Sequence, residues 1–552
     1  MTAISPSTIS TVGMVMVVYL GILLIIGWRA GRRTHGGEDF HLAGRSLGAW
    51  TAGISSTASS ESGWVTLGAV GMTYTHGLSG LWYAPGCLLG YLVNLYIVAP
   101  RLRKMSERQG SITLTDVITR RWGDPHNVLR VTATTIILVC MMGYVAAQMT
   151  AAGKAFSSSL GMESRSGYLL GVFIGALVII LVTFMGGFRA VAWTDLFQGL
   201  LVALALIALP LYAIARLGGF GALINGLGAI DPNLLTMGGD RVGPALWGFI
   251  VGELGIGLGY PGMPHVVTRY MATKSQTEVR RLRAIAMLWG IAVFYGAGLV
   301  GLAARVMLPS LPDGEQALMV MALELVHPIL AGLLLAAVIS AILSTVSSQL
   351  LVAASAVSYD IVEETLGFET DDRRSLRLGR WTVVVIGTLG VLVALTEVRL
   401  VFWVVLFAWS GLGAAFAPLV LFAAFNSAVS RFGAFAGMLT GVGVTVAWKL
   451  GRTAADHPEA FAKVPWAVIV LAATILIIGR ITDSFEVGHS AATLAAAALT
   501  LGSWWLVQRW GLHNLYELVP AFFLAAGSTV AVSFLFPNPP TVVQSSEFRV
   551  PG

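Results

Sequence analysis

The sequence predicts an all-α polytopic membrane protein of about fifteen transmembrane helices, with its N-terminus outside and its C-terminus inside. Three observations carry this reading. Charged residues (34 Lys+Arg, 28 Asp+Glu) make up 11% of 552, against about 25% in a soluble domain. Hydrophobic residues reach 56% and mean hydropathy is +0.79. Apolar runs of about 20 residues, the length that crosses the hydrocarbon core, recur along the whole chain. Soluble enzymes, nucleic-acid-binding domains, disordered scaffolds and collagen-like fibres are excluded together. Two cysteines, Cys87 and Cys140, leave no disulfide framework or Cys-rich zinc site. The net charge of +6 belongs to basic loops rather than to a nucleic-acid surface.

The apolar segments fall at roughly 9–28, 48–73, 78–99, 127–153, 166–185, 192–216, 243–266, 283–306, 319–357, 378–396, 399–425, 432–450, 464–480, 489–507 and 517–536. They leave no room for a sizeable soluble domain. The first reads as a span and not a cleaved signal: no basic stretch precedes it and Trp28-Arg29 follows directly. Orientation comes from the loops. Arg29, Arg32 and Arg33 follow segment one, and Arg101, Arg103, Lys104, Arg120 and Arg121 follow segment three. Arg269, Lys274, Arg280, Arg281 and Arg283 follow segment seven, and Arg373, Arg374, Arg377 and Arg380 follow segment nine. The intervening loops are poor in Lys and Arg, and cytoplasmic loops carry the excess.

Segment two holds Ser55-Ser56-Thr57-Ala58-Ser59-Ser60-Glu61-Ser62-Gly63-Trp64, and segment seven holds Gly252, Gly255, Gly257, Gly259 and Gly262 with Pro261 and Pro264. Non-helical backbone at membrane depth survives only where protein or a watery cavity satisfies it. Two such segments, five apart in order, predict discontinuous helices at matching positions of two five-helix repeats, with a binding site between them. Gly257-Leu258-Gly259-Tyr260-Pro261-Gly262 spells a dinucleotide fingerprint, but it lies inside an apolar span with no strand before it. No P-loop is present either.

Segment nine carries Ser340, Ser344, Thr345, Ser347 and Ser348, with 340, 344, 347 and 348 on one helical face. Sodium takes hard oxygen donors, which hydroxyls and unwound carbonyls supply; the alternative is hydroxyls bonded to carbonyls one turn back or joining helices. Carboxylates at membrane depth, Glu61, Asp195 and Glu253, are costly there and mark a cavity or ion path. Each also has a structural alternative, Asp195 as an interfacial partner of Arg189 and the two glutamates as hydrogen-bonded structural carboxyls. Trp64, Tyr144 and Tyr260 are candidates to face a solute. Neither broken segment holds Lys or Arg, so a solute carboxylate would rest on hydroxyls and half-helix N-termini.

Several motifs resemble the sodium/solute symporter family, closest to bacterial sodium/proline symporters. They are Gly44-Arg45-Ser46-Leu47-Gly48, Ala58-Ser59 with Ser62-Gly63-Trp64, Gly186-Gly187-Phe188 and Ala192-Trp193-Thr194-Asp195. Further along come Gly257-Leu258-Gly259-Tyr260, Pro264-His265, Leu343-Ser344-Thr345, Ala408-Trp409 and Leu515-Tyr516-Glu517-Leu518-Val519-Pro520. The resemblance implies a leucine-transporter (LeuT)-type core with a 5+5 inverted repeat and inward, sodium-driven uptake by alternating access. It places the main sodium on Ala58, the carbonyl of Glu61, Ala341, Ser344 and Thr345. A second sodium would use Asp195, Ser344, Ser347 and Ser348. The solute pocket would map to Ser62, Gly63, Trp64, Tyr144, Ile256, Tyr260 and Pro264, and Arg45 matches a functionally sensitive arginine. Proline symporters carry aspartate at Ser60, methionine at Glu61 and tryptophan at Ile256. Glu61 is therefore the candidate to restore the negative charge, and an aromatic wall is lost.

The expected organisation is a first helix and loop at 1–47, one repeat at 48–217, the second with the family's next helix at 243–451, an inserted pair of spans at 452–511, and a last helix and tail at 512–552. The expected activity is import of a small organic solute (proline or a related amino or carboxylic acid) with sodium, across the bacterial inner membrane. Membrane lipid and the solute are the expected partners, with no nucleic acid, no organic cofactor and no enzymatic step. A proton relay through Glu61 and Glu253 is the alternative coupling. A transporter-like sensor is a lesser one, disfavoured because the chain ends shortly after its last span.

Overall fold

The computed structural model describes residues 5–159, 161–162, 164–396, 401–425, 428–456, 464–510 and 515–538. The start of segment eleven (399–400), parts of the expected insertion (457–463 and 511), the first residues of the expected last unit (512–514) and the tail beyond 538 lie outside the described residues. The helices, in chain order, are α1 (Pro6–Gly31), α2 (Gly37–Leu42), α3 (Ala49–Gly63), α4 (Ala69–His76), α5 (Tyr83–Leu92), α6 (Ala99–Gln109) and α7 (Leu114–Trp122). Next come α8 (Val128–Ser159), α9 (Arg165–Leu217), α10 (Phe220–Ile230), α11 (Gly243–Gly255), α12 (Pro264–Met271), α13 (Gln276–Met307) and α14 (Ala317–Leu325). The last are α15 (Pro328–Ser355), α16 (Asp372–Ala394), α17 (Val401–Ala424), α18 (Arg431–Asp456), α19 (Val464–Ile481), α20 (Val487–Trp510) and α21 (Leu518–Leu535). Among the described residues β structure is limited to one isolated bridge, Leu47 to Thr273.

Among the described residues, twelve stretches of helix are long and apolar enough to cross a membrane, against about fifteen expected segments. The difference has local causes. Residues Ala49–Gln109 run without a coil break, so segments two and three form one stretch. Segments five and six merge in α9, which bends at Gly187 (φ 51°) instead of ending. Segment seven is split too finely to qualify: α11 gives way to a 3-10 turn over Ile256–Gly262, and Met263 is extended before Pro264 opens α12. Proline at 261 and 264 removes two backbone donors, which is why no continuous α-helix forms. Segment nine is also divided. Val326 and His327 are extended ahead of Pro328, as the residues before a proline prefer.

The pairs α6–α7 and α2 lie among the basic loops, and α10 occupies the long loop before α11. The core is formed by α15, whose residues from Leu335 to Leu351 are all buried, and which packs against α3, α8, α9 and α1. α3 in turn lies against α9, α12 and α13, so the first broken helix is enclosed on all sides. α19 packs principally on α20 and leaves Trp466, Val470, Leu471, Ile477 and Ile478 exposed, an apolar face fit for lipid.

Candidate functional site: two helix breaks beside a serine-lined helix

α3 is helical up to Glu61 and then breaks at Ser62, whose φ of 44° and ψ of −172° place a non-glycine residue in strained backbone. Ser62 Oγ accepts from Trp64 N at 3.1 Å, which gives a freed N–H a partner. Gln148 Oε1 on α8 accepts from Gly63 N at 3.3 Å. Gly63 itself is needed for approach: a Cβ there would stand 2.9 Å from Ile342 Cγ1 on α15. At the second break Trp409 Nε1 donates to Ile256 O at 3.2 Å and Asn94 Nδ2 to Tyr260 O at 3.3 Å. Backbone groups that the breaks expose are thus satisfied by side chains from other elements.

The two breaks meet. Tyr260 Oη, from the second, donates to Glu61 Oε1, from the first, at 2.9 Å. Tyr91 Oη donates to the same oxygen at 2.7 Å, and Ser60 Oγ lies 2.8 Å from it. Glu61, Ser62, Trp64, Tyr144, Ile256 and Tyr260 line a cavity with about 20 Å³ of free space, room for one water-sized group. Ring contacts fix its walls: Tyr260 meets Trp409 and Tyr91 edge-on at 4.9 Å each, and Trp64 meets Tyr83 at 5.2 Å. Of the expected pocket residues, Gly63 serves packing. Pro264 lines a different cavity, with His41, Thr113, Thr268, Ser355 and Asp360. Glu253 is partly exposed and does not line this cavity.

Beside this cavity α3 touches α15 through oxygen atoms. Ser344 Oγ lies 3.2 Å from Ala58 O and 3.3 Å from Ala341 O, and Thr345 Oγ1 donates to Ala341 O at 3.1 Å. Ala58 O, Ser344 Oγ, Ala341 O and Thr345 Oγ1 thus lie side by side on buried ground as hard oxygen donors, and both hydroxyls also bond the carbonyl one turn back, as structural hydroxyls do. One turn further along, Ser347 Oγ bonds Ser344 O at 3.0 Å. Asp195 lies one layer below. Its Oδ2 accepts from Ser55 Oγ at 2.7 Å and from Arg269 Nη2 at 3.1 Å, with Ser348 Oγ at 3.5 Å, while Oδ1 has no protein partner. Arg269 also bonds Ser55 Oγ at 3.1 Å, Ser348 Oγ and His265 O, and sits over the Phe188 ring at 5.0 Å. Both side chains of the pair are fully buried. Asp195 does not pair with Arg189, which instead bonds Asp39 Oδ1 at 2.9 Å, Ala43 O and Arg33 O.

Below the cavities a buried ion network joins α7, α8 and the π-helical stretch Ala356–Thr365. Arg130 reaches Asp116 at 2.9 Å, Asp360 at 3.4 Å and Glu364 at 3.2 Å. Arg45, in the loop after α2, donates to Ser106 O at 3.1 Å, Ser111 O at 2.8 Å and Met271 O at 3.1 Å. It staples the end of α12 to the turn between α6 and α7. Sequence reasoning passed over Arg269, Tyr91, Asn94 and Gln148. An arginine five residues past Pro264, at the edge of a broken span, was the one available hint.

Comparisons with known proteins agree with this layout. The Sodium:solute symporter family profile matches residues 40–441. The chain is 36% identical over 433 residues to the high-affinity proline transporter PutP of Bacillus subtilis, covering 77% of this chain and 89% of that protein. It is 35% identical over 441 residues to a sodium/proline symporter of Staphylococcus aureus, covering 78% and 84%. Among solved structures, a Na+-coupled sialic acid symporter in a substrate-bound outward-open state superposes with TM-score 0.71 at 18% identity, covering 95% of this chain and 98% of that one. The nucleobase-cation symporter Mhp1 superposes with TM-score 0.50 at 15% identity, covering 91% and 96%. The expected LeuT-type all-α fold is therefore the observed one. With a family profile covering most of its length and relatives above one-third identity, this multi-pass membrane protein belongs to the sodium:solute symporter family.

Proposed function

We propose that this transporter imports a small organic solute, proline or a related amino acid, together with sodium by alternating access. The observation that carries the reading is the convergence of Ala58 O, Ala341 O, Ser344 Oγ and Thr345 Oγ1 one helix turn from the cavity built by the two breaks. A sodium ion at these oxygens ties α15 to α3 and holds Glu61, Ser62 and Trp64 in place for the solute. Each ligand then raises the other's affinity, a coupling of about 1–3 kcal/mol in typical cases. The cavity accepts a solute only as its aromatic walls separate, so closing them encloses the guest while the Arg130 network bars the other side. Reversal of both opens the path inward.

The repeats run over 48–217 and 243–451, with 452–511 as an added pair of spans, the N-terminus outside and the C-terminus inside. The basic loops then face the cytoplasm of a bacterial plasma membrane. In proteoliposomes an imposed inward sodium gradient accelerates proline uptake, and a pH gradient alone does not. Uptake indifferent to sodium overturns the ion assignment.

A further inference from the structure

Glu61 is a buried carboxylate on the wall of the solute cavity, and among the described residues no Lys, Arg or His lines that cavity. Its hydrogen bonds all fall on one oxygen. Tyr91 and Tyr260 both donate to Oε1, and Ser60 Oγ lies 2.8 Å from it, whereas none of the described residues donates to Oε2. Two tyrosines donating to the carboxylate orient it as an acceptor. On the same wall Trp64 carries a buried indole N–H with no partner. Around them stand the rings of Tyr144, Tyr260 and Trp409, whose faces attract cations. A carboxyl acceptor, an idle neutral donor and aromatic walls describe the complement of one guest.

We propose that Glu61 determines specificity by receiving a cationic amine of the solute, so that the transported class is small amine-bearing molecules and excludes carboxylic acids that lack an amine. The inference rests on the solute-symport reading and narrows it. A carboxylate-only solute would bring a second negative charge to a cavity with no cationic side chain, and like charges at close range in a dry site repel strongly. An ammonium or secondary ammonium group instead donates to Oε2 and lies against the rings. A solute carboxylate, where present, is served by the Trp64 N–H.

Three probes of matched shape separate these features: pyrrolidine (amine only), L-proline (both groups) and cyclopentanecarboxylate (carboxylate only). Binding to the purified full chain is read by thermal stabilisation in sodium, with sodium alone as the reference. Pyrrolidine and L-proline stabilise the wild type and cyclopentanecarboxylate does not. Glu61→Gln weakens the apparent affinity for both amine probes at least tenfold. Cyclopentanecarboxylate binding as well as pyrrolidine overturns the proposal, as does Glu61→Gln binding the amines within twofold of wild type. The wild-type comparison decides the matter even where the variant fails to fold. If none of the three binds while sodium still stabilises the chain, the amine assignment falls and the symport reading stands. If sodium has no effect on stability or uptake, the symport reading itself falls.

Discussion

Replacing Arg269 by methionine isolates a fully buried charge. The guanidinium is fully enclosed and bonds Asp195, Ser55, Ser348 and the carbonyl of His265. Methionine retains the volume and removes every donor. Asp195 then keeps Ser55 as its one close donor, at 2.7 Å, and becomes an uncompensated buried carboxylate. Breaking one side of such a pair costs about 3–5 kcal/mol, whereas exchanging both sides for apolar groups of similar volume is neutral or stabilising. Arg269→Met and Asp195→Leu should each lower the melting temperature of the purified chain strongly. The double variant should recover most of the loss, a coupling of about 3 kcal/mol or more in the double-mutant cycle. The ordering of four melting curves in one detergent is the readout. A double variant that melts lower than either single one, or an Arg269→Met chain that melts with wild type, refutes the buried-pair reasoning.

Other consequences are equally direct. With Arg269 already on Asp195 Oδ2, a second sodium there meets a resident positive charge, so sodium should activate uptake with a Hill coefficient of about 1; a value near 2 shows that the ion enters regardless. Ser344→Ala removes one of the four converging oxygens and should raise the sodium concentration for half-maximal uptake about tenfold, near 1.4 kcal/mol, read by flux titration. His41, in α2, has Nδ1 2.8 Å from Ser355 Oγ and no partner at Nε2, and burial pushes its pKa down from 6.5 to about 4. The unfolded chain therefore gains this proton first as pH falls. Stability drops between pH 6.5 and 4 by an amount on the order of 3 kcal/mol and levels off below. His41→Gln flattens that part of the melting-versus-pH curve; an unchanged slope refutes the assignment.

The sequence made the breaks visible because their composition is extreme: six hydroxyls in ten residues at 55–64, and five glycines with two prolines at 252–264. The exact kink was not visible, since Ser62 holds a positive φ that its side chain does not encode; surrounding contacts impose it. The serine face of α15 followed from spacing alone. Arg269 was read as one more loop cation because charge counts cannot tell an arginine at a span's edge from one turned inward, and its partner Asp195 lies 74 residues earlier. The same limit hid Tyr91, which reaches Glu61 across 30 residues, and gave the structural alternative for Asp195 the wrong arginine. Local periodicity reports what a helix does. It says nothing of which distant side chain closes a charge.

Gln148, Trp409 and Asn94 act as latches on the interrupted backbone, each holding one amide or carbonyl that a continuous helix would have satisfied itself. Any stroke that slides a broken helix away from these three must release them, at about 0.5–1.5 kcal/mol apiece. The sum is a few kcal/mol, the same order as the free energy by which an ion and its guest favour one another. The empty carrier is therefore held by small, discrete catches, and bound cargo is strong enough to undo them.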